Sequence, residues 1–233
     1  MQGKTILIVG GSRGIGAALA KKLLAEGAEV YNASRSKTTL GKSLSYDALK
    51  NDPKALLTQL PDQLDGLVYC PGSINLRPFH RIKEEQFNQD FQLNVMGAVH
   101  LLQAALPQLK KAEAGASVVL FSTVAVKLGM PFHSAIAMAK GALEGLTKSL
   151  AAEWASHNIR INAIAPSLTN TSLAERLLNT EAKQESAAKR HPLGRIGQAE
   201  DIAGLAYYLL DQNSQWMTGQ ILGLDGGLGS LKI

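Results

Sequence analysis

Residues 5–16 read Thr5-Ile6-Leu7-Ile8-Val9-Gly10-Gly11-Ser12-Arg13-Gly14-Ile15-Gly16, and a helix-like stretch from Ala17 to Ala25 follows at once. An apolar run, a glycine turn and a helix start in that order predict a strand leading into a helix N-terminus. Such an N-terminus exposes unpaired backbone N–H groups and a positive dipole end, and glycines let a pyrophosphate come close to them. Gly10, Gly14 and Gly16, with Ser12, Arg13 and Ile15 between them, are therefore the first candidate residues of a dinucleotide site.

Outward from this turn, apolar runs near residues 28–33, 66–69, 117–121, 159–164 and 220–224 alternate with helix-periodic stretches, and a short strand near Leu44 to Tyr46 makes a seventh. Regular βα alternation predicts an α/β fold, a doubly wound parallel seven-stranded sheet with helices on both faces. Ligands of such sheets sit beyond the carboxyl ends of the strands. The chain of 233 residues, 45% hydrophobic, reads as one domain over 1–233 with a substantial core. Residues 167–197, which hold Pro192 and Gly194, form the least regular stretch and the expected substrate lid.

Composition narrows the function classes. The N-terminal apolar run is too short for a signal-peptide core or a membrane span, so no membrane association is expected. Cys70 is the only cysteine, which rules out an intramolecular disulfide or a cysteine metal cluster. A reducing cytoplasm is the expected setting, with no metal. The formal charge is +5, yet Lys and Arg occur singly or in pairs such as Lys21-Lys22 and Lys110-Lys111. These read as solvated faces biased toward an anionic cofactor, and no nucleic-acid partner is expected.

The spacing Gly-x-x-x-Gly-x-Gly resembles the short-chain dehydrogenase/reductase family, and further likenesses cover nearly the whole chain. The resemblance implies a Rossmann fold, a nicotinamide cofactor, a small-molecule substrate and a homodimer or homotetramer. An acidic residue about 20 positions past the glycine turn suits NAD, and a nearby arginine suits the extra phosphate of NADP. Here the region reads Asn32-Ala33-Ser34-Arg35, without a carboxylate. Ser34 offers a hydrogen-bond donor and Arg35 a charged fork, with Arg13 as a second positive charge, so NADP is expected. The plainer reading of Arg13 and Arg35 is two surface arginines. Asp47 matches the family aspartate near the adenine amino group, and serves equally as a turn or cap residue.

The stretch Ser134 to His157, with Lys140-Gly141-Ala142-Leu143-Glu144-Gly145-Leu146, resembles the family's catalytic helix, whose motif is Tyr-x-x-x-Lys. Four residues before Lys140 stands Ile136, and no tyrosine lies between Tyr69 and Tyr207. An aliphatic side chain exchanges no proton. The family serine position falls on Thr123, with Ser122 adjacent, and the family asparagine that holds a water chain falls on Asn94. Lys140 corresponds to the lysine that hydrogen-bonds the nicotinamide ribose. His133, three residues before Ile136, is a candidate replacement acid or simply a capping residue. Water held by Thr123, Asn94 and Lys140 is the other candidate proton source.

The family's Asn-Asn-Ala-Gly turn reads Tyr69-Cys70-Pro71-Gly72, keeping the glycine beside the cofactor, and Cys70 reads as a packing residue. Pro166-Ser167-Leu168-Thr169-Asn170-Thr171 retains Pro166, Thr169 and Thr171 for the nicotinamide half of the site. Residues His191 to Gly197 and Thr218 to Gly227 resemble the bacterial ketoacyl carrier-protein reductase branch. Two functions follow: an NADP(H)-dependent oxidoreductase of a small carbonyl or alcohol with an atypical proton donor, or a catalytically silent NADP(H) sensor or partner subunit.

Overall fold

A computed structural model describes residues 1–232. The first half of the chain runs β1 (Thr5–Val9), α1 (Gly14–Ala25), β2 (Glu29–Ser34), β3 (Lys42–Ser45), α2 (Pro53–Leu57), β4 (Gly66–Tyr69), α3 (Glu84–Phe91), α4 (Gly97–Leu109) and β5 (Ala116–Phe121). It continues α5 (Val124–Lys127), α6 (Ser134–Trp154), β6 (Ile159–Pro166), β7 (Thr169–Asn170), α7 (Glu175–Leu178), α8 (Glu181–Lys189), β8 (Gly197–Gln198), α9 (Ala199–Leu210) and β9 (Ile221–Leu224). Seven strands form one parallel sheet in the order β3-β2-β1-β4-β5-β6-β9.

Strand period explains the layers. In β1, Leu7 and Val9 point into a core shared with Leu101 and Leu102 of α4 and Leu143 and Trp154 of α6. Ile6 and Ile8 point the other way, against Leu19 and Leu23 of α1 and Ile202 and Leu209 of α9. Alternate side chains of a strand leave opposite faces, so a continuous apolar run implies a strand buried on both. The chain leaves β1 toward β2 and β3, then returns through β4 on the other side of β1. That reversal opens a crevice at the carboxyl ends of β1 and β4.

Two expectations are refined. The second strand starts at Glu29 because Ala28 still closes α1 through its N–H to the Leu23 carbonyl at 3.0 Å. The third spans Lys42–Ser45 rather than 44–46, set by its parallel register against Tyr31–Ser34 of β2. The stretch 167–197 is more regular than its sequence suggests. The two-residue ladder of β7 and β8 pins its ends, and α7 and α8 pack over a small cluster of Ala174, Leu178 and Ala187.

Candidate functional site

Backbone crowding builds the crevice floor. Gly10 and Gly14 adopt φ of +84° and +57°, the region that glycine enters at least cost. A Cβ on Gly16 would stand 2.5 Å from the Gly10 carbonyl oxygen and 2.9 Å from the Gly11 Cα. Asn32 of β2 braces the turn from below, donating to the Gly11 carbonyl at 2.8 Å and the Leu40 carbonyl at 3.2 Å. The first turn of α1 receives no side-chain cap. Its N–H groups are thus left for a ligand, and the glycines leave the room that a pyrophosphate needs. These residues fit a dinucleotide.

Gly10, Ser12, Arg13, Gly14, Ile15, Gly16, Ser34, Arg35, Asp47, Gly72 and Thr171 line one cleft. Arg13 and Arg35 are exposed there, and no ion pair engages either among the described residues. Two of the expected polar contacts are committed elsewhere. The Ser34 hydroxyl donates to the Ser36 carbonyl at 2.8 Å, so it offers lone pairs rather than its proton. Asp47 caps its own turn, accepting from the Leu49 N–H at 3.0 Å.

Ile15, Cys70, Gly72, Thr171 and Leu173 line both this cleft and a larger cavity of about 660 Å³. That cavity brings together Thr123, His133, Ile136, Lys140, Pro166 and Thr169, which come from three separate stretches of chain. Lys140 and Ile136 are buried, 7% exposed each, one turn apart on α6. Burial pushes the Lys140 ammonium down from the ordinary 10.5 to about 8, with Cys70 and Asp90 opposing the shift. Burial also pushes the Cys70 thiol up to about 12, against the pull of Lys140, which fits a packing role.

Thr123 is the N-cap of α5, accepting from the Ala125 N–H at 3.3 Å, which still leaves its hydroxyl proton free. The neighbouring Ser122 also lines the cavity, but its hydroxyl proton is committed to Glu144 at 2.5 Å. His133 occupies the N-cap position of α6 without capping it, and its Nδ1 lies 2.7 Å from the Pro131 carbonyl. Thr169 donates to the Ser167 carbonyl at 3.0 Å. Thr171 lies against the glycine turn, its Cβ 3.4 Å from where a Gly14 side chain would begin.

Asn94 sits behind Gly72 rather than in the cavity wall. It occupies a π-helical turn, Gln92–Met96, that joins α3 to α4. Its Nδ2 donates to the Ser73 hydroxyl at 3.0 Å and to the Asp90 carbonyl at 2.8 Å, while its buried Oδ1 has no partner. From the point where a Gly72 side chain would start, that oxygen is 3.4 Å away and the Lys140 Nζ 3.9 Å. Glycine here keeps a polar gap open between an orphaned acceptor and a donor, and a water suits such a gap.

Two groupings escaped the sequence. Asp90, 1% exposed, accepts from Ser73 at 2.5 Å and Asn75 at 2.8 Å, so it anchors the support behind Asn94. Its place one helical turn before Asn94 was the available signal. The Ser167 hydroxyl meets His191 Nε2 at 2.8 Å, and His191 Nδ1 meets the Ala187 carbonyl at 2.8 Å, which fastens α8 to the end of β6. Nothing local in the sequence pairs residues 24 apart.

Comparison with known proteins agrees with this geometry. Residues 9–229 match a family model described as enoyl-(acyl carrier protein) reductase. A tropinone reductase homologue of Arabidopsis thaliana is 35% identical over 97% of this chain and 92% of its own length. The ligand-free aldohexose dehydrogenase of Thermoplasma acidophilum superposes with a TM-score of 0.92 at 25% identity, covering 99% of this chain and 96% of that one. ElxO with NADP bound gives a TM-score of 0.91 at 25% identity, covering 99% of this chain and all 100% of its own.

Proposed function

This chain belongs to the short-chain dehydrogenase/reductase family, and we propose that it is an NADP(H)-dependent oxidoreductase of a small carbonyl or alcohol whose proton donor is not the family tyrosine. One observation carries the reading: a glycine-floored cleft flanked by Arg13 and Arg35 opens into a cavity whose buried cation is Lys140. The nicotinamide supplies the hydride chemistry when bound.

The chain's own groups divide the remaining work. The α1 N-terminus and Gly10, Gly14 and Gly16 receive the pyrophosphate, with Ser12 and Ile15 in the same turn. Arg35, with Arg13, receives the 2′-phosphate, Ser34 accepts from a neighbouring hydroxyl, and Asp47 stands near the adenine edge. Gly72, Pro166, Thr169 and Thr171 border the nicotinamide half. Lys140 donates to the ribose hydroxyls, and Thr123 orients the substrate oxygen with its free hydroxyl proton.

Ile136 lies one turn before Lys140 on α6, and in this reading it takes the place of the family tyrosine. The proton then comes from water held between Asn94 Oδ1 and Lys140 beside Gly72, or from His133 in the cavity wall. Neutral Lys140 and protonated Lys140 are both accessible near its lowered pKa of about 8, which suits a proton relay. Residues 167–197 act as the lid in this reading. A cytoplasmic homodimer or homotetramer, with the carrier-protein reductase likeness of residues 191–197 and 218–227, belongs to the same reading. Among the described residues no helix is long and apolar enough to cross a membrane.

The test follows NADPH oxidation over a panel of ketones, keto acids and their esters. Turnover that disappears in Lys140→Ala supports an enzyme. NADPH binding without turnover, in both the parent protein and Ile136→Tyr, indicates a silent nucleotide-binding protein instead.

A further inference from the structure

The cavity carries cations that neither the cofactor nor proton transfer uses. Besides the buried Lys140 and the half-buried His133, its wall includes Arg176, Lys183 and Arg190, and no aspartate or glutamate lines it. The lid is not short of acids, since Glu175, Glu181 and Glu185 lie on the same two helices. Helical spacing segregates them. Lys183 and Ala187 of α8 and Arg190, its C-cap, recur at i, i+4 and i+7 and line the cavity, while the acids fall elsewhere.

These cations differ in availability. The Lys183 ammonium is committed to the Arg176 carbonyl at 3.1 Å and Asn179 at 2.8 Å. Arg176 and Arg190 are exposed, and neither joins an ion pair among the described residues. Apart from these charges the wall is largely apolar, with Ile74, Leu76, Met130, Leu173, Leu177 and Leu228. The cofactor's own phosphates have a different home, because Arg13 and Arg35 line the glycine cleft and the two lid arginines do not.

We propose that the substrate is a carbonyl compound, or its alcohol, with an apolar body and an anionic head group, and that Arg176 and Arg190 receive that head group at the lid. The proposal rests on the oxidoreductase reading of the cavity. Guanidinium forks match carboxylate and phosphate alike, so the chemistry they share is a terminal anion. The apolar wall supplies affinity for the body, and the paired arginines fix which end faces Lys140.

Octanoate, octyl phosphate and octanamide, titrated calorimetrically into the full chain with and without NADP⁺, test it directly. At least one anion should bind about tenfold more tightly than octanamide, and its rank against the other anion identifies the head group. That preference should shrink in high salt and be lost in the double variant Arg176→Gln, Arg190→Gln. Lys189→Gln, on α8 but outside the cavity wall, should keep it. Equal affinity for the three probes, no binding of any, or a preference that survives the double variant overturns the proposal. NADP⁺ titrated alone separates the two failures: a protein that takes the anions but not NADP⁺ loses the oxidoreductase reading, not the anion site.

Discussion

The glycine cleft and the lid cavity share a wall but are built by different physics. At Gly16 the contact is backbone on backbone, where added atoms meet a carbonyl oxygen and a Cα that cannot swing aside, and at Gly11 they would meet the buried Asn32 amide that braces the turn. The lid instead rests on Ala174, Leu178 and Ala187, a cluster separate from the two cores that flank the sheet. Its cavity-facing arginines are exposed ends of long side chains. A floor made of main chain tolerates little change, while a wall made of flexible side chains on a small core can change its chemistry and keep the fold. On the proposed function, the cofactor half is then the fixed part of this molecule and the substrate half the adjustable part.

Gly16→Ala attacks the fixed part and should have the largest effect. Overpacking of this kind costs about 1–3 kcal/mol of stability, and the displaced turn should lose NADPH binding altogether. Thermal melting and a nucleotide titration read both, and a variant that binds NADPH normally would show that the floor yields. Ile136→Tyr changes the adjustable part, returning a hydroxyl to the face of Lys140. Positioned acid–base groups contribute about 10²–10⁴ in rate, so turnover of a substrate the parent accepts should rise by about a hundredfold. An unchanged rate in a folded, NADPH-binding variant would mean that the cavity is shaped around another donor.

Arg35→Ala should weaken NADPH by at least about tenfold and leave NADH unaffected, since a charge-assisted contact to phosphate is worth about 1.5–3 kcal/mol. Equal losses for the two nucleotides would make Arg35 a general surface cation. A smaller effect concerns Lys140. Burial lowers its pKa from the ordinary 10.5 to about 8, so the folded protein holds fewer protons than the unfolded chain between those values. The cost of burying the ammonium is present below about pH 8 and fades as pH rises through it, so this group's contribution favours folding at higher pH. Ribose hydroxyls that accept from the ammonium favour its charged form. NADPH binding should then take up protons near pH 8 and weaken above it, measurable by calorimetry in buffers of different ionisation enthalpy.

Leu178→Ala should have the smallest global consequence. It removes most of one side chain from the lid's own cluster, so amide exchange should speed up across residues 174–190 while the melting temperature moves little. A drop in melting temperature comparable to that of Gly16→Ala would show that lid and sheet unfold together, and would erase the contrast between the two regions.

The same contrast explains what could be read from the chain. The strands of the sheet, the turn at Gly10 to Gly16 and the helix carrying Lys140 follow from local order: apolar runs, glycine spacing and helical period. Gly72 beside Lys140 and Asn94 came through family likeness, since nothing local brings residues 72, 94 and 140 together. The regularity of 167–197 was missed because α7 and α8 bury almost nothing, which leaves no periodic apolar signal. The Ser34 hydroxyl illustrates another limit. Its residue type offers a donor, but its bond to the Ser36 carbonyl, two residues away, spends that proton. Arg176 and Arg190 took on meaning only once α7 and α8 were seen to face the cavity.

The most direct measurement is a calorimetric titration of the purified protein with NADPH and, separately, with NADH, because binding needs no knowledge of the substrate. The glycine floor with Arg13 and Arg35 predicts micromolar NADPH binding at least about tenfold tighter than NADH. Binding of neither nucleotide, or a preference for NADH, would contradict the account.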